Sequence, residues 1–340
     1  MKAPTFPAIV AVLSLIASPG LIAKDPPLPR TMRAAAIDKG EDAEALSIHK
    51  LPVPKPAAGE VLIAVDTAGV GVWQAKYRPD DSQDTHFPVV LGSDGAGTIA
   101  AVGSGVSGFK VGDPVYGTSR AFYAEYVAVR VDHVAHVPQG ISPTQAGVLA
   151  ISGLSALQGI DDVLGLKAGE KLIIHGAAGA VGTLAVQFAK FSGVKVLATV
   201  SDEAGAALVS RLGADVVVNG RTGDIAAAAR SFAPDGVDAV LGLVGGDSLE
   251  HCIDALRRDN RGRVAYLYGL EPLPHPRYGI RMSLYSFVAG TDEFERLNNA
   301  VEAAKLQVPI AAEYSLADAA EAHKRLAAGH LLGKIAIRVR

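Results

Sequence analysis

The chain has 340 residues, of which 49% are apolar and 20% are charged, a composition typical of soluble globular proteins with room for two domains. Its net charge of −3 provides no basic surface for nucleic acid, so that class of partner is excluded. The single cysteine, Cys252, excludes an internal disulfide bond and a cysteine-based zinc cluster. The nine histidines occur without paired ligand spacing, so we expect no bound metal.

Residues 1–23 have the pattern of an export signal, in which Lys2 precedes an apolar stretch and a cluster of small residues. The apolar stretch is too short to span a bilayer, so we expect no stable membrane insertion. The alternative interpretation is that translation starts at Met32, where an ordinary domain sequence begins. The signal peptide predicts a periplasmic or secreted protein, and a start at Met32 predicts a cytoplasmic one.

Residues 32–152 are predicted to form a small β-barrel or sandwich. Short β-rich runs alternate there with glycine and proline, and glycines are expected at bulges and corners, where a Cβ atom would clash. The clearest predicted strands are residues 61–65, 89–91, 97–102 and 123–129.

The most informative stretch, residues 171–197, has the order strand, glycine turn, helix and second strand. An apolar run at residues 172–174 predicts a buried parallel strand, and a helical pattern follows it. Free N–H groups at such a turn, together with the positive end of the helix dipole, favour binding of a dinucleotide diphosphate. The alternative is that the glycines serve only a tight turn. The residues predicted to bind the cofactor here are Gly176, Ala178, Gly179, Ala180, Val181 and Gly182.

Residues 153–291 continue the alternation of strands and helices, which predicts a doubly wound parallel sheet of the α/β class with its ligand at the carboxyl ends of the strands. Residues 292–340 end in a strand, predicted at 334–339, and this tail is expected to complete the first domain. The other predicted elements are strands at 216–218, 239–241 and 264–267 and helices around 204–212, 225–232 and 249–257.

A long motif, GxDxAGxVxxVGxxVxxFxxGDxV, fits residues 92–115, with Ile99 at one valine position. These residues resemble the medium-chain dehydrogenase/reductase superfamily, and the resemblance extends from about Met32 to the end of the chain. It implies a GroES-like catalytic β-barrel packed on a Rossmann domain. Further matches lie at residues 123–126, 155–156, 176–182, 212–215 and 320–334.

Two positions distinguish this chain from the zinc alcohol dehydrogenases of that superfamily. Those enzymes carry a catalytic cysteine and a Gly-His-Glu motif where this chain has Gly71 and Ser93–Asp94, and their four-cysteine lobe is missing here. The chain is therefore similar to the zinc-independent quinone oxidoreductase branch. The resemblance implies use of NADPH to reduce quinones or the activated double bonds of enones, no metal, and a homodimer.

The candidate catalytic residues lie in the first domain, at positions that the resemblance marks. Relatives carry an aspartate where this chain has Gln74, and Trp73 is expected either to line the nicotinamide pocket or to pack in the barrel wall. Tyr77, one position away from the family's pocket tyrosine, is the candidate proton donor. The further candidates on the nicotinamide side are Ser155, Val244, Tyr268 and Gly269.

The residues at the end of the second strand predicted from residues 171–197 bear on the choice between NADPH and NADH. NAD-specific relatives carry an aspartate at the position of Val200, so that ribose clamp is absent, and Ser201 fits NADPH. Asp202 and the glutamate after it would repel a 2′-phosphate. Arg211 or Arg221 could supply a positive charge, and the alternative is that each is a solvated surface residue. We expect NADP(H) to be preferred over NAD(H).

The predicted reaction is hydride transfer from the nicotinamide to a quinone or to the β-carbon of an enone, with a proton from a tyrosine or from solvent. The pocket would position the acceptor and exclude water. A second hypothesis is a non-catalytic dinucleotide-binding scaffold or redox sensor. It is motivated by Gln74 and by Gly242, because many relatives carry an aspartate at the latter position too.

Overall fold

The computed structural model describes residues 1, 28–38, 45–75 and 86–340. The candidate proton donor Tyr77 and, apart from Met1, the predicted signal segment lie outside the described residues. None of the described helices combines the length and the apolar character that crossing a membrane requires.

Short strands dominate the first part of the chain. Its elements are β1 (Thr31–Ile37), β2 (Ser47–Pro52), β3 (Glu60–Gly69), α1 (Val72–Ala75), β4 (Val89–Val90), β5 (Asp94–Val102), β6 (Pro114–Thr118), β7 (Tyr126–Arg130), β8 (Val134–His136), α2 (Pro143–Gly147) and α3 (Ala150–Gln158). Strands and helices then alternate: β9 (Lys171–His175), α4 (Ala180–Phe191), β10 (Lys195–Val200), α5 (Glu203–Arg211), β11 (Val216–Asn219), α6 (Ile225–Phe232), β12 (Ala239–Gly242), α7 (Asp247–Asp254), β13 (Arg263–Leu267) and β14 (Arg281–Tyr285). The tail contains α8 (Thr291–Ala304), β15 (Ile310–Ser315), α9 (Ala319–Ala327) and β16 (Lys334–Arg338).

Strands β9 to β14 form a parallel sheet in the order β11-β10-β9-β12-β13-β14. This is the strand order of a dinucleotide-binding Rossmann fold, in which the chain reverses direction across the sheet at its first strand. Side chains of the central strand β9 alternate between two cores: Leu172 and Ile174 pack with Phe188 of α4, whereas Ile173 packs with Ile253 of α7. Helices therefore cover both faces, and the predicted doubly wound sheet is confirmed.

A second sheet has the order β15-β16-β3-β5-β6-β8, and β7 also pairs with β3. β3 and β5 approach so closely at Gly97 that only glycine fits there. A Cβ atom at this position would lie 2.0 Å from the Ala64 carbonyl oxygen. Alternate residues of β3, such as Val61 and Ile63, share a core with Ile337 of β16. A smaller sheet, β2-β1-β4, lies beside these strands.

The tail contacts both sheets. β16 pairs antiparallel with β3, with Ile337 opposite Ala68, so the last strand belongs to the sheet that the first part of the chain builds. Gly333, the residue before β16, donates its N–H to the Ala178 carbonyl at 2.9 Å, in the loop that follows β9. The predicted domain boundaries, 32–152 with 292–340 and 153–291, stay predictions.

Some elements differ in extent from their predictions. β5 begins at Asp94 rather than at residue 97, and β7 begins at Tyr126 rather than at residue 123, because the Tyr123 main chain pairs instead with Leu91 and Ala35. α7 ends at Asp254, and the residues that follow turn to bond with the segment before β12. β14 forms where no strand was predicted.

Candidate cofactor and active site

The glycine loop between β9 and α4 leaves main-chain atoms uncovered at the carboxyl end of the parallel sheet. Gly176 has a φ of +84°, which favours glycine. A Cβ atom on Gly182 would lie 2.5 Å from the Gly176 carbonyl oxygen, so the helix packs too closely on the loop for any side chain. Apart from atoms of its chain neighbours, the nearest atom to a Cβ atom on Gly179 would be the Gly176 carbonyl oxygen at 3.6 Å. The space beside Gly179 is therefore open to a ligand.

Helix α4 begins beside this space with main-chain donors that its own geometry leaves unpaired. The N–H groups of Ala180 and Val181 have no carbonyl one turn earlier in the helix, and Gly179 at the N-cap has no side chain that could bond to them. The positive end of the helix dipole lies at the same point. The loop has the chemistry to hold a diphosphate, and binding by these residues stays a prediction.

Three buried polar side chains lie behind the loop. The His175 Nδ1 lies 2.7 Å from the Thr199 Oγ1, and the Gly176 N–H donates to the same oxygen at 3.3 Å. Burial lowers the pKa of His175 to about 4. It raises the pKa of Cys252, whose sulfur lies 3.8 Å from the His175 Nδ1, to about 12. All three groups are neutral at pH 7, so the threonine hydroxyl can donate to His175 while it holds the first glycine of the loop.

A polar cluster lies at the end of β10, where the ribose of a bound dinucleotide is expected. His330, from the tail, bridges two of the predicted residues: its Nδ1 lies 3.1 Å from the Ser201 Oγ, and its Nε2 lies 3.2 Å from the Arg221 Nη2. Asp202 follows, but one of its oxygens accepts a main-chain N–H at 2.7 Å and caps α5. Of the two candidate arginines, Arg221 belongs to this cluster, whereas Arg211 is exposed in the last turn of α5.

Trp73 and Gln74 lie on the short helix α1 and differ in exposure. Trp73 is 41% exposed, and its indole N–H donates to the Ser93 Oγ at 2.8 Å. Gln74 is 4% exposed, and its Oε1 accepts the Gly71 N–H at 2.8 Å and the Tyr123 hydroxyl at 3.2 Å. Trp73 can therefore contact a ligand directly, whereas the amide oxygen of Gln74 is engaged inside the protein. Their catalytic roles stay predictions.

Lys334 and Asp94 form a buried ion pair beside Trp73. The Lys334 Nζ lies 2.5 Å from the Asp94 Oδ2, and the two side chains are 3% and 0% exposed. The same ammonium lies 5.8 Å from the centroid of the Trp73 ring. Ser93 and Asp94 both have protein partners as a result. Within residues 28–38, 45–75 and 86–340, no three His, Cys, Asp or Glu side chains are close enough to hold a metal ion.

Two consecutive tail residues bring the loop and Trp73 together. Gly333 forms a β-bridge with Gly179, and the next residue, Lys334, contacts the Trp73 side of the molecule. The loop therefore borders Gly333, and Trp73 lies near the end of the side chain of the next residue, Lys334. One dinucleotide could therefore reach from the loop to Trp73.

The remaining candidates on the nicotinamide side differ in their surroundings. Val244 is 53% exposed and lies against the loop, 2.8 Å from where a Cβ atom on Gly176 would be. Tyr268 is exposed and follows β13, with Gly269 beside it at a φ of +85°. Ser155 is buried in α3, where its carbonyl accepts the Tyr285 hydroxyl at 2.9 Å. Sequence reasoning missed His175, His330 and Lys334 as neighbours of the site, since none of them belongs to a local binding motif.

Comparison with known proteins gives matches over nearly the whole described chain. The family model described as alcohol dehydrogenase GroES-like domain matches residues 57–139, and the one described as zinc-binding dehydrogenase matches residues 212–337. The quinone oxidoreductase of Rattus norvegicus is 30% identical over 320 residues, which are 90% of this chain and 96% of the relative.

Two solved structures share this architecture. A mycobacterial protein in complex with NADPH has a TM-score of 0.80, and an NAD-dependent alcohol dehydrogenase has a TM-score of 0.82. Each is 28% identical to this chain and covers 91% of it and 100% of the solved chain. The predicted GroES-like and Rossmann architecture is confirmed, and so is the resemblance. The chain belongs to the quinone oxidoreductase branch of the medium-chain dehydrogenase/reductase superfamily, a family of NAD(P)H oxidoreductases.

Proposed function

We propose that this chain uses NADPH to reduce a quinone or the activated double bond of an enone, without zinc. The observation that carries the proposal is the open space at the start of α4, which one tail segment connects to the Trp73 side chain. The quinone oxidoreductase relatives and the NADPH complex of a similar structure support it.

The bound nicotinamide would supply the hydride. The chain's own contribution is positioning: the Ala180 and Val181 N–H groups would hold the diphosphate, and Trp73 would offer a flat apolar wall to a planar acceptor. Ser93 holds the indole N–H and Lys334 lies near the ring face, so this wall is oriented before the acceptor binds. Tyr77 stays the predicted proton donor, with solvent as the alternative.

The residues at the zinc-ligand positions favour a reaction without metal. Ser93 accepts a hydrogen bond from Trp73, and Asp94 is paired with Lys334. A zinc ion bound near Asp94 would be repelled by this buried ammonium. We expect full activity after dialysis against a chelator and no zinc by elemental analysis; stoichiometric zinc whose removal abolishes activity would contradict this part of the proposal.

The cluster at the end of β10 supports NADPH over NADH. Ser201 and Arg221 present a hydroxyl and a guanidinium that could pair with a 2′-phosphate, and one carboxylate oxygen of Asp202 is engaged in capping α5. In the variant Arg221→Ala we expect the Kd for NADPH to rise roughly tenfold, the effect of losing one charged hydrogen bond, with the Kd for NADH unchanged. Arg211→Ala is the matched control and should change neither. Equal effects on both nucleotides, or none, would remove Arg221 as the determinant.

Oxidation of NADPH and of NADH against a panel of quinones and enones tests the activity itself. The alternative is the non-catalytic scaffold or redox sensor, and the burial of Gln74, where relatives carry an aspartate, favours it. Tight cofactor binding with no oxidation across the panel would favour that alternative. Turnover with a quinone or an enone would support the reductase.

We also propose a homodimer that forms through β14, the edge of the parallel sheet. An open edge strand offers main-chain groups to a second copy. β14 carries the exposed side chain of Leu284, and exposed Val288 follows three residues after the strand ends. The variant Leu284→Lys should be monomeric by size-exclusion chromatography with light scattering. Leu273→Lys, at an exposed position outside the strand, should remain dimeric, and a wild-type monomer would contradict the proposal.

A further inference from the structure

A chain of buried hydrogen bonds begins behind Trp73 and ends in the tail helix α9. The Tyr123 hydroxyl lies 3.2 Å from the Gln74 Oε1 and 3.2 Å from the Nε2 of His323 in α9. The Gln74 Oε1 also accepts the Gly71 N–H at 2.8 Å. Tyr123 and His323 are 0% and 1% exposed, so water does not compete for these bonds.

The donors and acceptors favour one direction. The Gln74 Oε1, 3.2 Å from the Tyr123 oxygen, and the Gly69 carbonyl oxygen, 3.4 Å away, only accept, so the single proton of the Tyr123 hydroxyl points to the nearer of them, the Gln74 Oε1. His323 must then carry its proton on Nε2 and donate to the tyrosine oxygen. Burial lowers the pKa of His323 to about 4, which keeps the imidazole neutral and leaves Nδ1 as a bare acceptor. The bonds therefore run from His323 through Tyr123 to Gln74.

This arrangement is retained at a cost. Among the described residues, the Gln74 Nε2 and the His323 Nδ1 are buried without a hydrogen-bond partner. Burying a hydroxyl, an amide and an imidazole removes these groups from water, a cost that an apolar cluster of the same shape would avoid. The hydrogen-bonded groups are therefore expected to have a role other than stability.

These hydrogen bonds hold the turn that carries Trp73. The described part of α1 is one turn, Val72–Ala75, and a single turn depends on contacts with the rest of the protein. Gln74 closes the turn twice: its N–H donates to the Gly71 carbonyl at 3.1 Å, and its side chain accepts the Gly71 N–H. The Trp73 ring lies on Gly71, where a Cβ atom would be 2.3 Å from Cζ2. The orientation of the indole therefore depends on the position of Gln74.

We propose that Tyr123 and His323 are positioning residues that act through Gln74 to hold the Trp73 ring in the orientation needed for hydride transfer. The inference rests on the proposed function only in assigning Trp73 to the acceptor site. Trp73 is the single tryptophan of the chain, so intrinsic fluorescence reports on its orientation and exposure without any substrate.

The test removes single hydroxyl groups. Tyr123→Phe keeps the buried ring and deletes the bond to Gln74. Tyr116→Phe is the matched control, because Tyr116 is also fully buried and its hydroxyl donates to the Asn298 Oδ1 at 2.7 Å, within a different core cluster. We expect Tyr123→Phe to increase acrylamide quenching of Trp73 and to lower kcat/KM for the acceptor roughly tenfold, the effect of one lost hydrogen bond. The Kd for NADPH should not change, and the control should alter neither signal.

A pair of variants at His323, the last member of the hydrogen-bonded series, distinguishes positioning of Trp73 from a general loss of packing. His323→Gln keeps a side-chain N–H donor and should retain the wild-type quenching, whereas His323→Ala should resemble Tyr123→Phe. If acrylamide quenches Trp73 fluorescence no more in Tyr123→Phe and His323→Ala than in Tyr116→Phe, the proposal is wrong. If quenching changes as expected while no quinone or enone is reduced by the wild type, the positioning of Trp73 stands and the proposed reaction fails.

Discussion

The buried pair of Lys334 and Asp94 leads to a quantitative prediction about the variant Lys334→Met. Methionine keeps most of the length and apolar character of the lysine side chain but removes its charge. Asp94 would then keep a single described hydrogen-bond donor, the Ile151 N–H at 3.4 Å, because its Oδ1 already has no partner among the described residues. The perturbation therefore leaves a fully buried carboxylate without its counter-charge.

The expected cost follows from the burial of both partners. Breaking a buried ion pair on one side typically costs about 3–5 kcal/mol, because the remaining charge is left uncompensated. Since the two side chains are 3% and 0% exposed, no screening by solvent reduces this value. We therefore expect Lys334→Met to lower the free energy of unfolding by about 3–5 kcal/mol.

Urea unfolding followed by Trp73 fluorescence measures this change, since Trp73 lies beside the pair and is the single tryptophan. The double variant Lys334→Met with Asp94→Asn removes both charges and should be more stable than the single variant. Lys195→Met is the control, because Lys195 is 57% exposed in its pair with Asp215 and its loss should cost at most about 1 kcal/mol. If the single variant is no less stable than the double variant, the argument from uncompensated charge is refuted.

Two further predictions concern the glycine loop and pH. Gly179→Ala should fold with wild-type stability, because its methyl group would lie at ordinary van der Waals distance, 3.6 Å, from the Gly176 carbonyl oxygen. It should nevertheless weaken NADPH binding at least tenfold by isothermal titration, and Gly182→Ala should in addition lose about 1–3 kcal/mol of stability through overpacking. Unchanged affinity in Gly179→Ala would show that the diphosphate lies elsewhere. His175 and His323 both have pKa values of about 4 in the folded chain, below the unfolded value of about 6.5, so the unfolded chain binds protons first as pH falls. Each histidine should therefore contribute its full stabilisation above a pH of about 6.5, and the free energy of unfolding should fall by up to about 3 kcal/mol per histidine between that pH and about 4. In urea titrations at several pH values, the free energy of unfolding of His323→Gln should fall less steeply with pH than that of the wild type. An identical fall would contradict the assignment.

The parallel sheet and its loop could be predicted because their signals are local. Strand, glycine turn, helix and second strand all lie within residues 171–197, and each has its own periodicity. β14 could not be predicted in this way, because only Tyr285 of its five residues is buried and no alternation is present. It is a strand because β13 offers a partner along its whole length.

The contacts that surround the loop could not be predicted, because they join distant parts of the chain. Ser201 and His330 are 129 positions apart, and Asp94 and Lys334 are 240 positions apart. No spacing rule connects such residues, since their proximity depends on how the tail packs across both sheets. The burial of Gln74 could not be predicted either, because it depends on contacts with Tyr123 and, through Tyr123, with His323 of helix α9.

The position of β16 has a consequence for synthesis of the protein. Proteins generally fold domain by domain as they are made, starting from the N-terminus. Here the barrel strand β3 is translated before the parallel sheet, and its partner β16 is translated after it. The nascent chain can therefore assemble the parallel sheet while β3 still lacks one of its pairing strands. A C-terminal truncation before Lys334 should accordingly release a protein with an intact parallel sheet and an unfinished barrel.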